Sequence, residues 1–104
     1  EIIKCMGFTI GPAELEAVLL EHPAVADCAV VGKPDPFAGE LPKAFVALKA
    51  GAKATEKELI KFVEDRVAGY KKIREVEFVE TVPRSLAGKV LRREFVEKER
   101  ESRR

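Results

Sequence analysis

Two short apolar runs, at residues 25–31 and 44–48, constrain the fold of this chain more than any other feature of its sequence. Together they are rich in Val and include Phe45, and such residues are typical of buried strands. The segment between them, residues 32–39, contains two glycines and two prolines, a composition typical of a loop. The sequence therefore predicts two buried strands joined by a long turn.

A hairpin and a helix are predicted before these strands. Residues 2–4 and 8–10 are strand-like runs on either side of a glycine-containing turn, which indicates a β-hairpin. Pro12 stands at a first helical position and acidic residues follow in the first turn. This helix must end by His22, because a proline follows it and disfavours helical geometry in the preceding residue.

The second half of the chain predicts two more helices and a short strand. Thr55 and Glu58 form a capping box that opens a helix, and Gly69 is its predicted end. Val76 and Phe78 alternate with glutamates, as expected of a half-buried strand. A loop containing proline and glycine then leads to a final helix.

The predicted order of elements, β-β-α-β-β-α-β-loop-α, is that of a small α+β domain. We expect an N-terminal β-hairpin and a roughly three-stranded sheet flanked by three helices. The 104 residues make one domain, spanning residues 1–104, with a modest core. Because such a core leaves little room for an enclosed substrate cavity, chemistry by this chain would need a pocket on a partner domain.

The charge balance narrows the classes of function. Nineteen Lys and Arg against 18 Asp and Glu give a net charge of +1, too small to predict binding to nucleic acid. The charge is uneven, because residues 1–50 carry four basic against seven acidic side chains. Residues 51–104 therefore carry the net positive charge, which makes this half the better partner for phosphates. No apolar run approaches 18 residues and no signal peptide is evident, which predicts a cytoplasmic protein without a membrane span.

The cysteines and the histidine predict no metal site. Cys5 and Cys28 form no Cys-x-x-Cys pair, and His22 is the only histidine. Reduced thiols are the simplest interpretation. We expect the isolated domain to fold as a monomer.

The most informative stretch for chemistry is residues 83–90, where a Gly-Lys pair lies between a strand and a helix. A phosphate-binding P-loop is excluded, because Pro83 and Val90 occupy the positions of its first glycine and its Ser or Thr. The remaining feature is Lys89 on an exposed loop. Pro83 restricts the backbone where the loop begins, and Gly88 allows an unusual backbone angle within it. Two interpretations stay open: a lysine inserted into another domain's site, and a surface lysine beside a helix start.

This loop resembles the last sequence motif of the adenylate-forming enzymes, which include acyl-CoA synthetases, aryl-CoA ligases and luciferases. It reads Pro83-x-x-x-x-Gly88-Lys89-x-x-Arg92. Further matches follow the family's order at residues 3–16, 22–35, 39–40, 45–46 and 70–71. The whole chain thus resembles the mobile C-terminal domain of such an enzyme, with the hinge and the large N-terminal adenylation domain expected outside these 104 residues.

The resemblance implies a two-step reaction. A carboxylic acid, expected to be a fatty acid or a related carboxylate, reacts with ATP and magnesium to give an acyl-adenylate, and the acyl group then passes to CoA. Lys89 corresponds to the adenylation lysine, and Lys4 to a lysine that contacts the acyl-adenylate after the domain rotates. Met6, Gly7 and Phe8 correspond to the turn that borders the CoA tunnel. The isolated domain is expected to bind none of these cofactors tightly and to be inactive.

Met6 departs from the pattern of many CoA ligases in this family, which carry a lysine there. A charged contact to CoA is lost at that position, whereas the close backbone approach of Gly7 is kept. Met6 and Phe8 have a second interpretation as packing residues of the hairpin. Two other functions also stay open: an interaction module that keeps the fold without chemistry, and an adenylating enzyme that passes the acyl group to a carrier protein.

Overall fold

The computed structural model describes residues 2–101 and has the α+β architecture that the sequence predicts, with three helices and an N-terminal hairpin. Glu1 and residues 102–104 of the predicted domain lie outside the described residues. The elements are β1 Ile3–Cys5, β2 Phe8–Ile10, α1 Pro12–Leu20, β3 Val25–Asp35, β4 Gly39–Leu48, α2 Glu56–Glu64, a 3-10 turn at Gly69–Lys71, β5 Glu75–Phe78 and α3 Arg92–Glu101.

The strands form one mixed five-stranded sheet in which β4 has three neighbours. One edge of β4 pairs antiparallel with β3 along its whole length. Its other edge is shared, because β1 pairs with it at Gly39 and β5 runs parallel to residues 43–46. The predicted hairpin and the predicted three strands are therefore parts of the same sheet.

Strands β3 and β4 are longer than predicted, and the prediction of a long turn at residues 32–39 is wrong. The β3–β4 ladder continues to the pair Asp35 and Gly39, which leaves a loop of only residues 36–38. The backbone nitrogen of Val30 faces away from β4, and its N–H donates to the Glu16 carboxylate. Pro34 lies four residues further along β3, so its nitrogen faces the same way. A proline there removes no hydrogen bond of the ladder, as is typical of an edge strand.

The ends of the helices follow the predicted capping, with one difference. The Thr55 hydroxyl accepts a hydrogen bond from the Glu58 N–H at 3.1 Å, which opens α2 as expected. The helix ends at Glu64, five residues before the predicted stop at Gly69. Arg66 closes this end, since its guanidinium donates to the Phe62 carbonyl at 2.9 Å.

The sheet is buried on both faces. One face packs against α1 and α2, which contribute buried leucine and valine side chains, and the other packs against α3 and the segment after β5. Neighbouring residues of β3 alternate between the two cores, with Val30 in the first and Val31 in the second. This double burial is why the run at residues 25–31 is apolar almost throughout. No helix among residues 2–101 is both long and apolar enough to cross a membrane.

An aromatic stack and a buried cluster of charges attach α3 to the sheet. The rings of Phe45 and Phe95 stack with centroids 4.2 Å apart. Beside them the Lys43 ammonium contacts Glu99 of α3, and both side chains are about 95% buried. Burial opposes the charge of Lys43, but hydrogen bonds to Glu99 and two further glutamates raise its pKa above the ordinary value. Because α3 directly follows the Lys89 loop, this attachment also fixes where the loop ends.

A pair of phenylalanine substitutions tests the attachment of α3. We expect Phe95→Ala to lower the free energy of unfolding by about 3–5 kcal/mol, because it leaves a cavity against Phe45. The matched control is Phe37→Ala, at a side chain that is 96% exposed in the β3–β4 loop. It should change the free energy of unfolding by less than about 0.5 kcal/mol. Urea unfolding of both variants measures the difference, and equal effects would contradict the packing described here.

Candidate functional site

Lys89 lies in a tight secondary hairpin that the chain forms after β5. An isolated bridge between Arg84 and Val90 closes it, the Ser85 N–H donates to the Lys89 carbonyl at 2.8 Å, and the Gly88 N–H donates to the Ser85 carbonyl at 2.9 Å. Gly88 has a φ of +82°, which a residue with a side chain adopts only under strain. A β-turn followed by a left-handed glycine is a common three-residue hairpin loop. The glycine loop that the sequence predicts is therefore a hairpin of defined geometry, and Lys89 is exposed on it.

The base of this hairpin is joined to β3 by an ion pair that the sequence analysis missed. The Arg84 guanidinium donates from Nε to Asp27 Oδ2 at 2.9 Å, and its Nη2 contacts Oδ1 of the same carboxylate. Its third donor, Nη1, reaches the Gly88 carbonyl at 2.7 Å. The hydrogen bonds from Arg84 hold the pKa of Asp27 below its ordinary value, against the opposing effect of partial burial.

Pro83 and the start of α3 close the hairpin from the outside. The Leu91 N–H donates to the Pro83 carbonyl at 3.0 Å. One residue further on, Arg92 pairs side-on with the buried carboxylate of Glu16, with Nε and Oε2 at 2.8 Å. Glu16 also accepts the outward N–H of Val30, so it links α1, β3 and α3. The arginine of the sequence motif thus has a structural role.

The remaining predicted site residues lie together in the β1–β2 hairpin. Met6 and Gly7 form its two-residue turn with φ values of +50° and +83°, the pattern of a type I′ turn. The Met6 N–H donates to the Ala38 carbonyl at 2.8 Å, which ties this turn to the β3–β4 loop. Lys4 is exposed, and its backbone N–H donates to Glu40 Oε1 at 3.0 Å. Its ammonium is therefore presented to solvent next to the turn.

The two apolar side chains of this hairpin differ in their packing. Phe8 stacks on Tyr70 with ring centroids 4.3 Å apart, although half of it stays exposed. The interpretation as a packing residue thus has a direct contact in its favour for Phe8. Met6 is 55% exposed at the tip of the turn and is available to a partner surface.

The two groups of site residues lie at opposite ends of the β3–β4 pair. The Lys89 hairpin is attached at Asp27 near the start of β3, whereas the β1–β2 hairpin joins β4 at Gly39, which is paired with Asp35 at the end of β3. Eight residues of strand separate Asp27 from Asp35, about 26 Å at 3.3 Å per residue. The structure therefore brings Lys4, Met6, Gly7 and Phe8 together and keeps Lys89, Pro83 and Gly88 apart from them.

Potential metal ligands, thiols and a groove are the remaining features of chemical interest among the described residues. Within residues 2–101 no three His, Cys, Asp or Glu side chains are grouped to bind a metal ion. Cys5 and Cys28 are buried and unoxidised, and burial raises the pKa of Cys28 to about 12. A groove of about 280 Å³ lies between β1, β3 and α3, but neither Lys4 nor Lys89 lines it.

The ion pair between Asp27 and Arg84 predicts a dependence of stability on pH. Since the folded-state pKa of Asp27 is lowered, its contribution to the free energy of unfolding is present above the ordinary value near 4 and is lost on further acidification. Asp27→Asn should cost about 1 kcal/mol or less at pH 7, because the pair is partly exposed. The cost should disappear as the pH falls toward 2.

Urea unfolding of the domain between pH 7 and pH 2 measures this effect. The matched control is Asp65→Asn, which removes the exposed partner of Lys61 at the residue that follows α2. A cost of Asp27→Asn that is the same at both ends of the pH range would contradict the assignment.

Comparison with known proteins places these features in a family. The family model of the AMP-binding enzyme C-terminal domain matches residues 14–89. The 4-coumarate–CoA ligase 1 of Oryza sativa subsp. japonica is 53% identical over 96 residues, and the 4-coumarate–CoA ligase-like 9 of the same plant is 50% identical over 95 residues. Both alignments cover 91% of this chain and 17% of the relative, so the chain spans about a sixth of the length of these curated proteins.

A solved structure shows the same fold over the entire chain. The crystal structure of an acyl-CoA synthetase from Brucella canis superposes with a TM-score of 0.93 at 36% identity and covers 100% of this chain and 20% of that protein. The family match includes Lys89 and the Gly88 turn but begins after the β1–β2 hairpin. This chain belongs to the C-terminal domain family of the AMP-binding, adenylate-forming enzymes, the family of the acyl- and aryl-CoA ligases.

Proposed function

We propose that this domain is the mobile C-terminal lid of a cytoplasmic, ATP-dependent acid–thiol ligase, which joins a carboxylic acid to CoA through an acyl-adenylate. A hinge and a large N-terminal adenylation domain in the same polypeptide would hold the acid and the nucleotide. The two relatives that are identical at about half of the aligned positions are CoA ligases by name, and this chain corresponds to about a sixth of each. ATP, magnesium and CoA belong to that complete enzyme.

The observation that carries the proposal is the separation of Lys89 from Lys4 by the length of the β3–β4 pair. The attachment points of their two hairpins are about 26 Å apart, far beyond the distance of about 4 Å at which a charge acts strongly on a phosphate. We therefore expect one orientation of the domain to present Lys89 to the adenylate and another to present Lys4. A domain with two working ends fits an enzyme that presents one end for adenylation and the other for thioester formation.

Lys89 supplies what the first step needs. As the carboxylate attacks, negative charge gathers on the α-phosphate, and an ammonium about 4 Å away stabilises it by about 4 kcal/mol at an effective dielectric constant of about 20. That energy corresponds to roughly a thousandfold in rate. The ammonium is exposed on a hairpin whose backbone is fixed, so it can enter a partner site without a large loss of loop entropy.

The β1–β2 hairpin supplies a surface for the second step. The turn at Gly7 has no side chain, and a bound CoA arm can approach its backbone closely. Met6 offers the arm an apolar contact in place of a charge. Lys4 lies next to this turn and can contact the adenylate while the thiol attacks.

The identity of the acid depends on the other domain. The family resemblance implies a fatty acid or a related carboxylate, whereas the two plant relatives are named for 4-coumarate. We therefore take an aryl acid of the 4-coumarate type as the first candidate and fatty acids as the second. Pyrophosphate release by the full-length enzyme with a panel of both classes decides between them.

Replacing the adenylation lysine tests the first half of the proposal. We expect Lys89→Ala in the full-length enzyme to slow pyrophosphate release by about a hundredfold or more, because the charge at the α-phosphate is lost. A chemically supplied acyl-adenylate should still be converted to the thioester. The control is Lys57→Ala, which removes an exposed lysine on α2, away from both hairpins. Equal losses in both half-reactions would contradict the division of work between the two ends.

Replacing Lys4 should give the opposite pattern. Lys4→Ala removes a side chain without breaking the backbone hydrogen bond to Glu40. Thioester formation from supplied adenylate should fall more than pyrophosphate release, because Lys4 enters the site only after the domain turns. If neither lysine variant changes either half-reaction, the domain is an interaction module. If the acyl group passes to a carrier protein and not to CoA, the thiol assignment is wrong.

A further inference from the structure

The peptide unit that joins Gly88 to Lys89 is held at both ends by side chains of the hairpin. Its carbonyl oxygen accepts a hydrogen bond from Arg84 Nη1 at 2.7 Å, and its N–H donates to the Ser85 hydroxyl at 3.2 Å. A glycine with positive φ has several accessible orientations of the following peptide plane. Holding both ends selects one of them, and this choice sets the direction in which Lys89 leaves the backbone.

Arg84 is itself held by a carboxylate of the sheet. Its Nε and Nη2 bind both oxygens of the Asp27 carboxylate, in the planar, two-point geometry that favours arginine over lysine. Asp27 lies in β3, and its carboxylate is oriented by the Cys28 N–H at 2.9 Å. A continuous line of hydrogen bonds therefore runs from the buried sheet to the backbone of the reactive lysine.

We infer that Arg84, anchored by Asp27, is a positioning residue for Lys89 in the adenylation step. This inference rests on the proposed role of Lys89. Each of the three guanidinium nitrogens of Arg84 already donates to Asp27 or Gly88, so the positioning role requires no contact between Arg84 and the nucleotide. It keeps the ammonium aimed at the α-phosphate, where a misplacement of about 1 Å costs as much as a hundredfold in rate.

The inference predicts a specific kinetic signature. Arg84→Ala in the full-length enzyme should slow pyrophosphate release about tenfold through kcat, with little change in KM for ATP, because the lysine remains but is less well placed. Arg84→Lys should recover only part of this loss, since an ammonium cannot pair with Asp27 and reach Gly88 in the same planar arrangement. Asp27→Asn should behave like a weaker form of Arg84→Ala.

Conversion of a supplied acyl-adenylate to the thioester is the internal control for folding. It should be unchanged in all three variants, because the β1–β2 hairpin lies at the other end of the β3–β4 pair. The matched control substitution is Arg66→Ala. That arginine also donates from Nη1 to a backbone carbonyl four residues away, at 2.9 Å, but on α2. It should leave both half-reactions unchanged.

A double substitution separates positioning from direct contact. In the Lys89→Ala background, Arg84→Ala should cause no further slowing of pyrophosphate release, since there is no ammonium left to position. A further tenfold loss would mean that Arg84 acts on the substrate directly, and it would overturn the inference.

The remaining outcomes distinguish this inference from the proposed function. Normal adenylation in Arg84→Ala, together with a large loss in Lys89→Ala, overturns the positioning role and leaves the function of Lys89 intact. Normal adenylation in Lys89→Ala overturns both. Loss of thioester formation in both Arg84→Lys and Arg84→Ala means that the ion pair only maintains the fold, which also overturns the inference.

Discussion

The antiparallel pairing of β3 with β4 is the constraint on which the other parts of the domain depend. It runs from Val25 to Asp35 on one strand and back from Gly39 to Leu48 on the other, and it is covered on both faces. Both strands have apolar side chains on both faces of the sheet, so each face of the pair is stabilised by its own buried core. Helices α1 and α2 pack on one face and α3 on the other, so that loops at both ends of the pair have a rigid base.

Two arginines then fix the segment that carries Lys89. Arg84 precedes Lys89 and binds the carboxylate of Asp27 on β3, and Arg92 follows it and binds the carboxylate of Glu16 on α1. Each pairing uses Nε and Nη2 of the guanidinium against both carboxylate oxygens. The short hairpin between these two anchors has little freedom, although its tip is fully exposed. Exposure and rigidity are thereby combined in one loop, which suits the proposed action of Lys89 in another domain's site.

Besides binding Arg92, Glu16 protects the exposed edge of the sheet at β3. An edge strand presents unpaired backbone groups to solvent, and β3 is such a strand. The carboxylate of Glu16 accepts the outward N–H of Val30 while it binds Arg92, so one buried side chain covers the edge and joins helices from both faces. A buried carboxylate is tolerated here because it is both paired with a cation and hydrogen-bonded. The motif arginine at position 92 therefore connects the lysine hairpin to the structural core.

The sequence alone determined those features that depend on local pattern. The apolar runs at residues 25–31 and 44–48 predicted the buried strands, Thr55 predicted the start of α2, and the loop around Gly88 predicted an exposed Lys89. Local periodicity reports whether a residue is buried, and turn residues report backbone angles, so these predictions needed no knowledge of the partners.

Only the tertiary structure decided which distant residues meet. Asp27 and Arg84 are 57 positions apart, Glu16 and Arg92 are 76 apart, and neither pairing leaves a signal in the neighbouring sequence. Local pattern predicts a loop at Pro34 because proline breaks most strands, whereas its position in an edge strand, with its nitrogen facing away from β4, makes it harmless. The placement of Lys4 and Lys89 at opposite ends of the β3–β4 pair also follows from strand order and register. These depend on how the whole chain buries its apolar faces, which is a global property that no local pattern contains.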